Sequence, residues 1–475
     1  MPQRRPTRVS LLLSVVIGLL PLEARAFVST GFFAGPARST GSTAYWNPAA
    51  VAAQPETWQM LIDTSLSFID LGYKRAGIDP NTNQPFERVS FFAPGPDLSF
   101  TLASPSMLGH LRLEVGGFSP FALATFWPKH GPQRYFGTRS TFVTYAVVAG
   151  PVLQVNDDYG VAILAGPMYG YLNLNTAIDL GAFVNSKLPS GSQPLPLEDP
   201  LLEGTEELTT QGVTAMVSLG AWARPTPWLR LGVGVLLPRG LDMHGNVEVQ
   251  ASDALKQAVP GINLNPRGNI EIRYPLPWQV SAEAEVDLGE YTAAALFQYS
   301  RKRIQRAIVA VVTDAEPNFI EGPQLSIKNA HDDWMVGARV SRHFTDTLTL
   351  GLRLDYMPRS IPNETVHPVN LDYTQVHFSA GAIWRYSEHI NLTFGYSYIW
   401  IVSYTVTNSV FSPYAPSESG LQMPPANGDY TGWAHMVGFG VEGVWEPTPP
   451  SAPEVAPPAE PESVGPDVFP PPQIQ

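Results

Sequence analysis

From Thr57 onward, apolar and polar side chains alternate at period 2, the spacing at which neighbouring side chains point to opposite faces of a sheet. In Leu348 to Tyr356, the residues Leu348, Leu350, Leu352, Leu354 and Tyr356 share one face, while Thr349, Gly351, Arg353 and Asp355 share the other. Asn391 to Trp400 repeats the arrangement, as does Trp278 to Asp287, which sets Val280, Ala282, Ala284 and Val286 against Ser281, Glu283, Glu285 and Asp287. The pattern predicts fourteen strands, at 57–70, 90–103, 109–126, 139–155, 159–176, 212–224, 228–249, 269–287, 290–312, 332–344, 347–357, 374–386, 389–404 and 432–446. Alternation alone suits a soluble sandwich as well as a membrane barrel, because each has one dry and one wet face.

Connection lengths separate the two. Tight turns at 156–159, 225–227, 287–290, 345–347 and 387–389 alternate with long links at 179–211, 250–268, 313–331, 357–373 and 405–431. Short turns at one rim, long loops at the other and an apolar outer band mark outer-membrane barrels. The expected fold class is therefore all-β, a transmembrane antiparallel β-barrel of about fourteen strands over 57–446. An even strand number returns both ends to the periplasmic side.

The ends read differently. Arg4, Arg5 and Arg8, the apolar run Leu11 to Leu22 and Ala24-Arg25-Ala26 stand in the order of a secretory signal peptide, so residues 1–26 are expected to be cleaved after Ala26. Residues 27–56 show no alternation and form either an unstructured leader or a plug in the barrel. Residues 447–475 hold eleven Pro and no Lys or Arg, a composition expected to stay extended on the periplasmic side.

Composition then narrows the function. The formal charge of −13 becomes −16 once the four Arg and one Glu of residues 1–26 are removed, which argues against nucleic acid as a partner. The chain has no Cys, so neither disulfides nor thiol catalysis enter. The nine His are scattered without an H-E-x-x-H spacing, and no G-x-S-x-G elbow is present, so no metal, cofactor or catalytic residue is assigned.

Gly116-Gly117-Phe118-Ser119-Pro120 interrupts the third predicted strand, where Gly marks a bulge or bend and Pro cannot donate to a ladder. Asn47-Pro48-Ala49 is a turn or helix start by its residues alone. Parity places Arg230, Arg273, Arg339, Arg353 and Arg385, with Glu271, Glu283, Glu285 and Asp355, on the lumen side as a cross-strand charge ladder. Arg273, Arg339 and Arg353 are candidates for a ligand carboxylate, which guanidinium matches bidentately. Leu180, Phe183, Leu188, Leu195, Leu197, Leu201 and Leu202 make the link 179–211 a candidate capture surface for apolar solutes.

Phe27 to Ala53 with its Asn47-Pro48-Ala49, Pro275-Leu276-Pro277-Trp278-Gln279-Val280-Ser281, Phe378-Ser379-Ala380-Gly381 and Phe394-Gly395-Tyr396-Ser397-Tyr398 follow one another as in the FadL family. Over roughly 27–446 the chain resembles these outer-membrane transporters of long-chain fatty acids and other hydrophobic molecules. The resemblance implies that Asn47, Pro48 and Ala49 belong to a lumenal hatch. It implies that Gly116, Gly117 and Pro120 form a kink through which an apolar ligand leaves sideways. It implies passive, monomeric transport with a hydrophobic ligand and membrane lipid as partners and no cofactor. Two rivals remain open at this point: an outer-membrane acyl enzyme, and a structural barrel whose Pro-rich tail contacts the cell wall.

Overall fold

The computed structural model describes residues 32–53, 57–185, 192–261, 263–410 and 426–446. The expected signal peptide, residues 27–31 and the Pro-rich tail lie outside the described residues. The strands are β1 (Trp58–Arg75), β2 (Val89–Ala103), β3 (Leu111–Phe118 and Ala122–Phe126), β4 (Arg139–Asn156), β5 (Tyr159–Ile178), β6 (Gly204–Thr226) and β7 (Leu229–Pro238 and Leu241–Ala251). They continue as β8 (Arg267–Tyr274 and Gln279–Asp287), β9 (Tyr291–Ser300 and Ala307–Glu316), β10 (Gly322–Ile327 and Asp333–Thr345), β11 (Leu348–Met357), β12 (Gln375–Arg385), β13 (Ile390–Val406) and β14 (Gly428–Trp445). Among the described residues these fourteen strands form one antiparallel sheet, and β1 pairs with β14 from Trp58↔Trp445 to Arg75↔Gly428. Closure removes the sheet edges, whose unpaired N–H and C=O groups cannot be satisfied in lipid.

The outer face carries exposed apolar residues such as Val336, Val340, Leu352, Phe394, Val437 and Phe439. Two aromatic rings bound this band. Near the short turns stand exposed Trp58, Tyr159, Trp228, Tyr291, Trp384 and Trp445; towards the long loops stand Trp334, Tyr356, Trp400 and Trp433. The second ring is continuous in register, through Val336↔Tyr356, Tyr356↔Val376, Val376↔Trp400 and Trp400↔Trp433. Trp433 and Trp445 lie twelve residues apart on β14. At about 3.3 Å per residue and a tilt near 40° that separation is roughly 30 Å, the thickness of a bilayer core.

Four consecutive strands, β7 to β10, are interrupted at one level, at 239–240, 275–278, 301–306 and 328–332. These breaks correct the sequence parity. Below them Gln279, Ser281, Glu283 and Glu285 of β8 face inward; above them Ile270, Ile272 and Tyr274 do, because the irregular 275–278 shifts the phase by one. Arg273 and Glu271 therefore point outward. The Arg273 side chain is 83% exposed and pairs with Asp242 at 3.2 Å, so Arg273 is not a lumenal carboxylate ligand. Arg385 is likewise exposed, at the short-turn rim.

The upper strands also run past the predicted ends, so the links 179–211, 250–268, 313–331 and 405–431 shorten to 179–203, 252–266, 317–321 and 407–427. Above the membrane the dry face is the inward one and the outer face is wet, the reverse of the lipid-facing part. Leu208, Val247 and Val249 are buried there, while Glu207 and Gln250 are exposed.

Candidate functional site

The N-terminal segment folds as a short helix, Thr43–Trp46, followed by a 3-10 turn, Pro48–Ala53, with every residue from Ser42 to Ala52 buried. Its contacts run around the wall. Ser42 N donates to Asp63 Oδ2 of β1 at 3.2 Å and Thr101 Oγ1 of β2 donates to Gly41 O at 3.2 Å. Ser218 Oγ of β6 donates to Ala44 O at 2.6 Å, and Tyr45 Oη donates to Gln279 Oε1 of β8 at 2.8 Å. Phe32 lies against Gly351, Gly381 and Gly395 of β11, β12 and β13. Only a position inside the barrel lets one segment touch strands so far apart around it.

Asn47 ties the segment together. It is fully buried, its Nδ2 donates to Pro36 O at 2.7 Å and to Ala221 O of β6 at 2.9 Å, and its Oδ1 accepts from Ala49 N at 3.0 Å. The last bond caps the turn begun by Pro48, whose missing N–H costs nothing at that position. The wall makes room with glycine: a Cβ on Gly234 would lie 1.7 Å from Trp46 O, and one on Gly232 would lie 1.9 Å from Pro36 O.

The third strand is interrupted at 119–121. Its ladder to β2 runs only from Ala103↔Glu114 to Phe100↔Gly117, and beyond that Val89 to Ser99 pair with β1 alone. On the other side, Phe118↔Ala146 is followed by Ala122↔Val143, so three residues of β3 oppose two of β4. Thr144 satisfies the freed groups: its N donates to Phe121 O at 2.8 Å, its Oγ1 accepts from Phe121 N at 3.1 Å, and its carbonyl accepts from Ser119 Oγ at 2.8 Å. That cover lies on the β4 side and spares the Phe121 N–H and C=O the several kcal/mol that a bare backbone group costs in lipid. The sequence carried a further signal for the gap, in Pro94-Gly95-Pro96 of β2. Proline lacks a ladder donor and suits only strand edges.

The barrel of fourteen antiparallel strands has counterparts among solved structures. A Pseudomonas aeruginosa FadL homologue matches with TM-score 0.73 at 14% identity, covering 89% of this chain and 99% of that one. The chain has the FadL fold. The P. putida toluene transporter TodX matches with TM-score 0.63 at 12% identity, covering 90% and 100%, and the Ralstonia pickettii toluene transporter TbuX with 0.57 at 14%, covering 90% and 99%. No protein-family model matches the sequence, and no curated protein does.

In this FadL-type barrel, charged side chains bind the inner segment to the wall. Arg339 pairs with Glu283 at 3.0 Å and Glu285 at 2.6 Å, and its Nη1 donates to Phe33 O at 2.7 Å. Arg353 pairs with Asp355 at 2.9 Å and donates to Ala34 O at 2.7 Å. Glu283 accepts from Ala37 N at 2.8 Å, and Glu285 also meets Arg38 and Arg230. Arg339 and Arg353 are thus committed to carboxylates and to backbone carbonyls of the segment. Arg339→Leu leaves two buried carboxylates short of a partner, a loss of about 3 kcal/mol. Amide exchange at Ala37 is expected to quicken by about a hundredfold; exchange at the native rate would refute the clamp.

Above the segment the lumen is apolar. Phe118, Phe121, Phe142, Met168, Leu208, Met243, Ile272 and Tyr274 belong to one buried cluster together with Tyr45 and Trp46. Lys328 is fully buried beside it, its ammonium 5.5 Å from the Tyr274 ring centre. Sequence parity missed Lys328 because it falls in the interruption of β10, where no alternation exists to assign its direction.

The link after β5 lies over this cluster instead of forming a capture surface. Leu180 and Val184 are buried, Phe183, Leu195 and Leu202 are partly buried against the cluster, and Leu188 lies outside the described residues. Leu197 and Leu201 are exposed. Asp179 organises this cap, accepting from Ala182 N at 2.9 Å and from Glu198 N at 2.8 Å. Burial pushes its carboxyl from 3.8 up to about 6 against the pull of those two N–H groups, with Glu203 and Glu198 adding to the rise. The folded state holds this proton more tightly than the unfolded chain, so the cap is most stable below pH 3.8 and loses stability as pH rises through about 6. Hydrogen exchange at Ala182, corrected for intrinsic rate, should increase over that window in the native chain and stay flat in Asp179→Asn. A flat native profile would refute the assignment.

Proposed function

We propose that the chain is a passive outer-membrane channel for hydrophobic small molecules, with long-chain fatty acids as the leading substrate class. The observation that carries the reading is the ladder gap between β2 and β3, which opens at membrane level beside the apolar lumenal cluster. A solute entering from the long-loop side meets Phe142, Met243 and Tyr274, loses water along an apolar wall, and has a sideways exit past Phe118 and Phe121 into lipid. Burial of apolar surface, at about 25 cal/mol per Å², favours entry, and the surrounding lipid offers the same environment on leaving, so no energy source is needed. The segment 32–53, with Asn47, Pro48 and Ala49, acts as the hatch that keeps polar solutes out. The solved relatives described as toluene transporters support an uncharged aromatic solute as a further substrate.

The test is to straighten the third strand. Gly117→Val with Pro120→Val supplies a ladder donor and two β-branched residues; the new Cβ at 117 would come within 2.3 Å of the Phe100 ring, which must turn aside. Uptake of a labelled long-chain fatty acid is expected to fall by roughly tenfold, the factor that closes a minority route to a residual leak, while the barrel stays heat-modifiable. Native uptake by a folded double variant would reduce the gap to an ordinary bulge.

A further inference from the structure

The interruption of β9 holds four cations in six residues, Arg301, Lys302, Arg303 and Arg306, in an otherwise acidic chain. Its core is a 3-10 turn, Lys302–Gln305, a geometry in which residues three apart eclipse one another. Lys302 and Gln305 therefore share the inward side. Lys302 pairs with buried Asp333 at 3.0 Å, and Gln305 Nε2 donates to Pro275 O at 2.9 Å. Arg301, Arg303, Ile304 and Arg306 are all exposed. The turn is pinned by its inner residues and offers its outer ones to the surroundings.

Its height is set by register. Tyr299 pairs with Trp334, a member of the aromatic ring towards the long loops, and packs 5.4 Å from Trp278. Below stand the exposed apolar residues Phe297 and Val336. Two residues above Tyr299 the basic run begins, so its guanidinium groups stand where lipid headgroups begin, and Ile304, 39% exposed, stands among them. Here the wall has a depression of about 510 Å³ lined by Arg303, Arg306, Asn329, His331, Asp332 and Glu364. Asp332 is occupied: it accepts from Tyr299 Oη at 2.6 Å and pairs with Arg303 at 2.7 Å. Glu364 is the remaining carboxylate of the lining, against the exposed guanidinium of Arg306 and the nearby Arg301.

We infer that this patch is a binding site for a phosphate-bearing lipid headgroup of the outer leaflet. The charge sign, the exposed apolar residue among the guanidinium groups, the aromatic ring beneath and the fixed backbone fit an anionic lipid; a soluble anion would have no use for Ile304 or for the height. Such attraction amounts to about tenfold or less per Arg. The inference rests on the membrane reading of the barrel but not on transport.

The test uses purified full-length protein in neutral detergent with diphosphorylated lipid A as probe, followed by native mass spectrometry. Arg301→Gln with Arg306→Gln should weaken retention by about tenfold or more, and the milder Arg306→Gln by a few-fold, each with native heat-modifiability. Dephosphorylated lipid A should bind the native chain as weakly as the double variant binds the phosphorylated form. Undiminished binding by either folded variant would overturn the site, and displacement by inorganic phosphate alone would overturn its assignment to lipid. Fatty acid uptake, measured in parallel, should not change, so loss of lipid binding and loss of transport are read separately.

Discussion

Gly234→Leu should open the barrel to ions. The Gly234 position faces Trp46 O so closely that a Cβ would sit 1.7 Å from it and 2.7 Å from its carbonyl carbon, and backbone cannot rotate away as a side chain can. Something must move. The wall is held by the ladders Gly220↔Gly234 and Ser281↔Gly234, whereas the segment is held by side-chain contacts and burial, so displacement of the segment is the smaller cost. Once Tyr45, Trp46 and Asn47 leave the lumen, a fourteen-strand barrel approaches the size at which porins hold an aqueous channel, and conductance in a planar bilayer should rise on the order of tenfold. Deleting residues 27–53 should give the same rise without any change in the wall. Native conductance in both proteins would rule out the hatch function, and a rise in the deletion alone would show that the wall yields at Gly234.

The last strand is expected to decide assembly. All of β14's partners on β1 and β13 lie at or before Trp445, and its lipid face presents Val437, 52% exposed, Phe439 and Trp445. The Phe439 ring packs 5.3 Å from Phe394. Truncation after Glu446 should therefore yield a membrane-inserted, heat-modifiable barrel in native amount. Phe439→Asp places a carboxylate within the lipid band at about 2 kcal/mol and removes a ring contact worth about 1 kcal/mol. Together these shift an insertion equilibrium by about a hundredfold, so the heat-modifiable fraction should fall below about a tenth. An aggregated truncation product would mean that the tail takes part in folding, and normal insertion of Phe439→Asp would mean that closure does not depend on this face.

Much of the candidate site was legible for physical reasons that can be named. The interruption was legible at Pro120, which has no ladder donor, whereas Gly116 and Gly117 lie within the ladders to both neighbouring strands and the break begins only after Phe118. The inner segment was suspected from its lack of alternation and from the resemblance carried by Phe27 to Ala53, and the burial of Tyr45 and Trp46 gives the physical reason, since such rings are costly to leave in water. The error over Arg273 came from carrying one phase along β8, when four residues, Pro275 to Trp278, break the ladder and shift it. The capture surface was misjudged for a related reason: leucines in a polar loop reveal that they avoid water, not which surface they cover.

The amino-acid sequence by itself determined the strand number, the short and long rims and the inward parity of the lower barrel, because period 2 and turn chemistry act between neighbours in the chain. Tertiary structure alone decided which lumenal cations are occupied. Arg339 and Arg353 meet Phe33 and Ala34 across more than three hundred residues, and Lys328 reaches Tyr274 from a stretch without alternation. Phase information is local and is lost wherever the ladder breaks, and contacts made across the lumen depend on how the whole sheet closes.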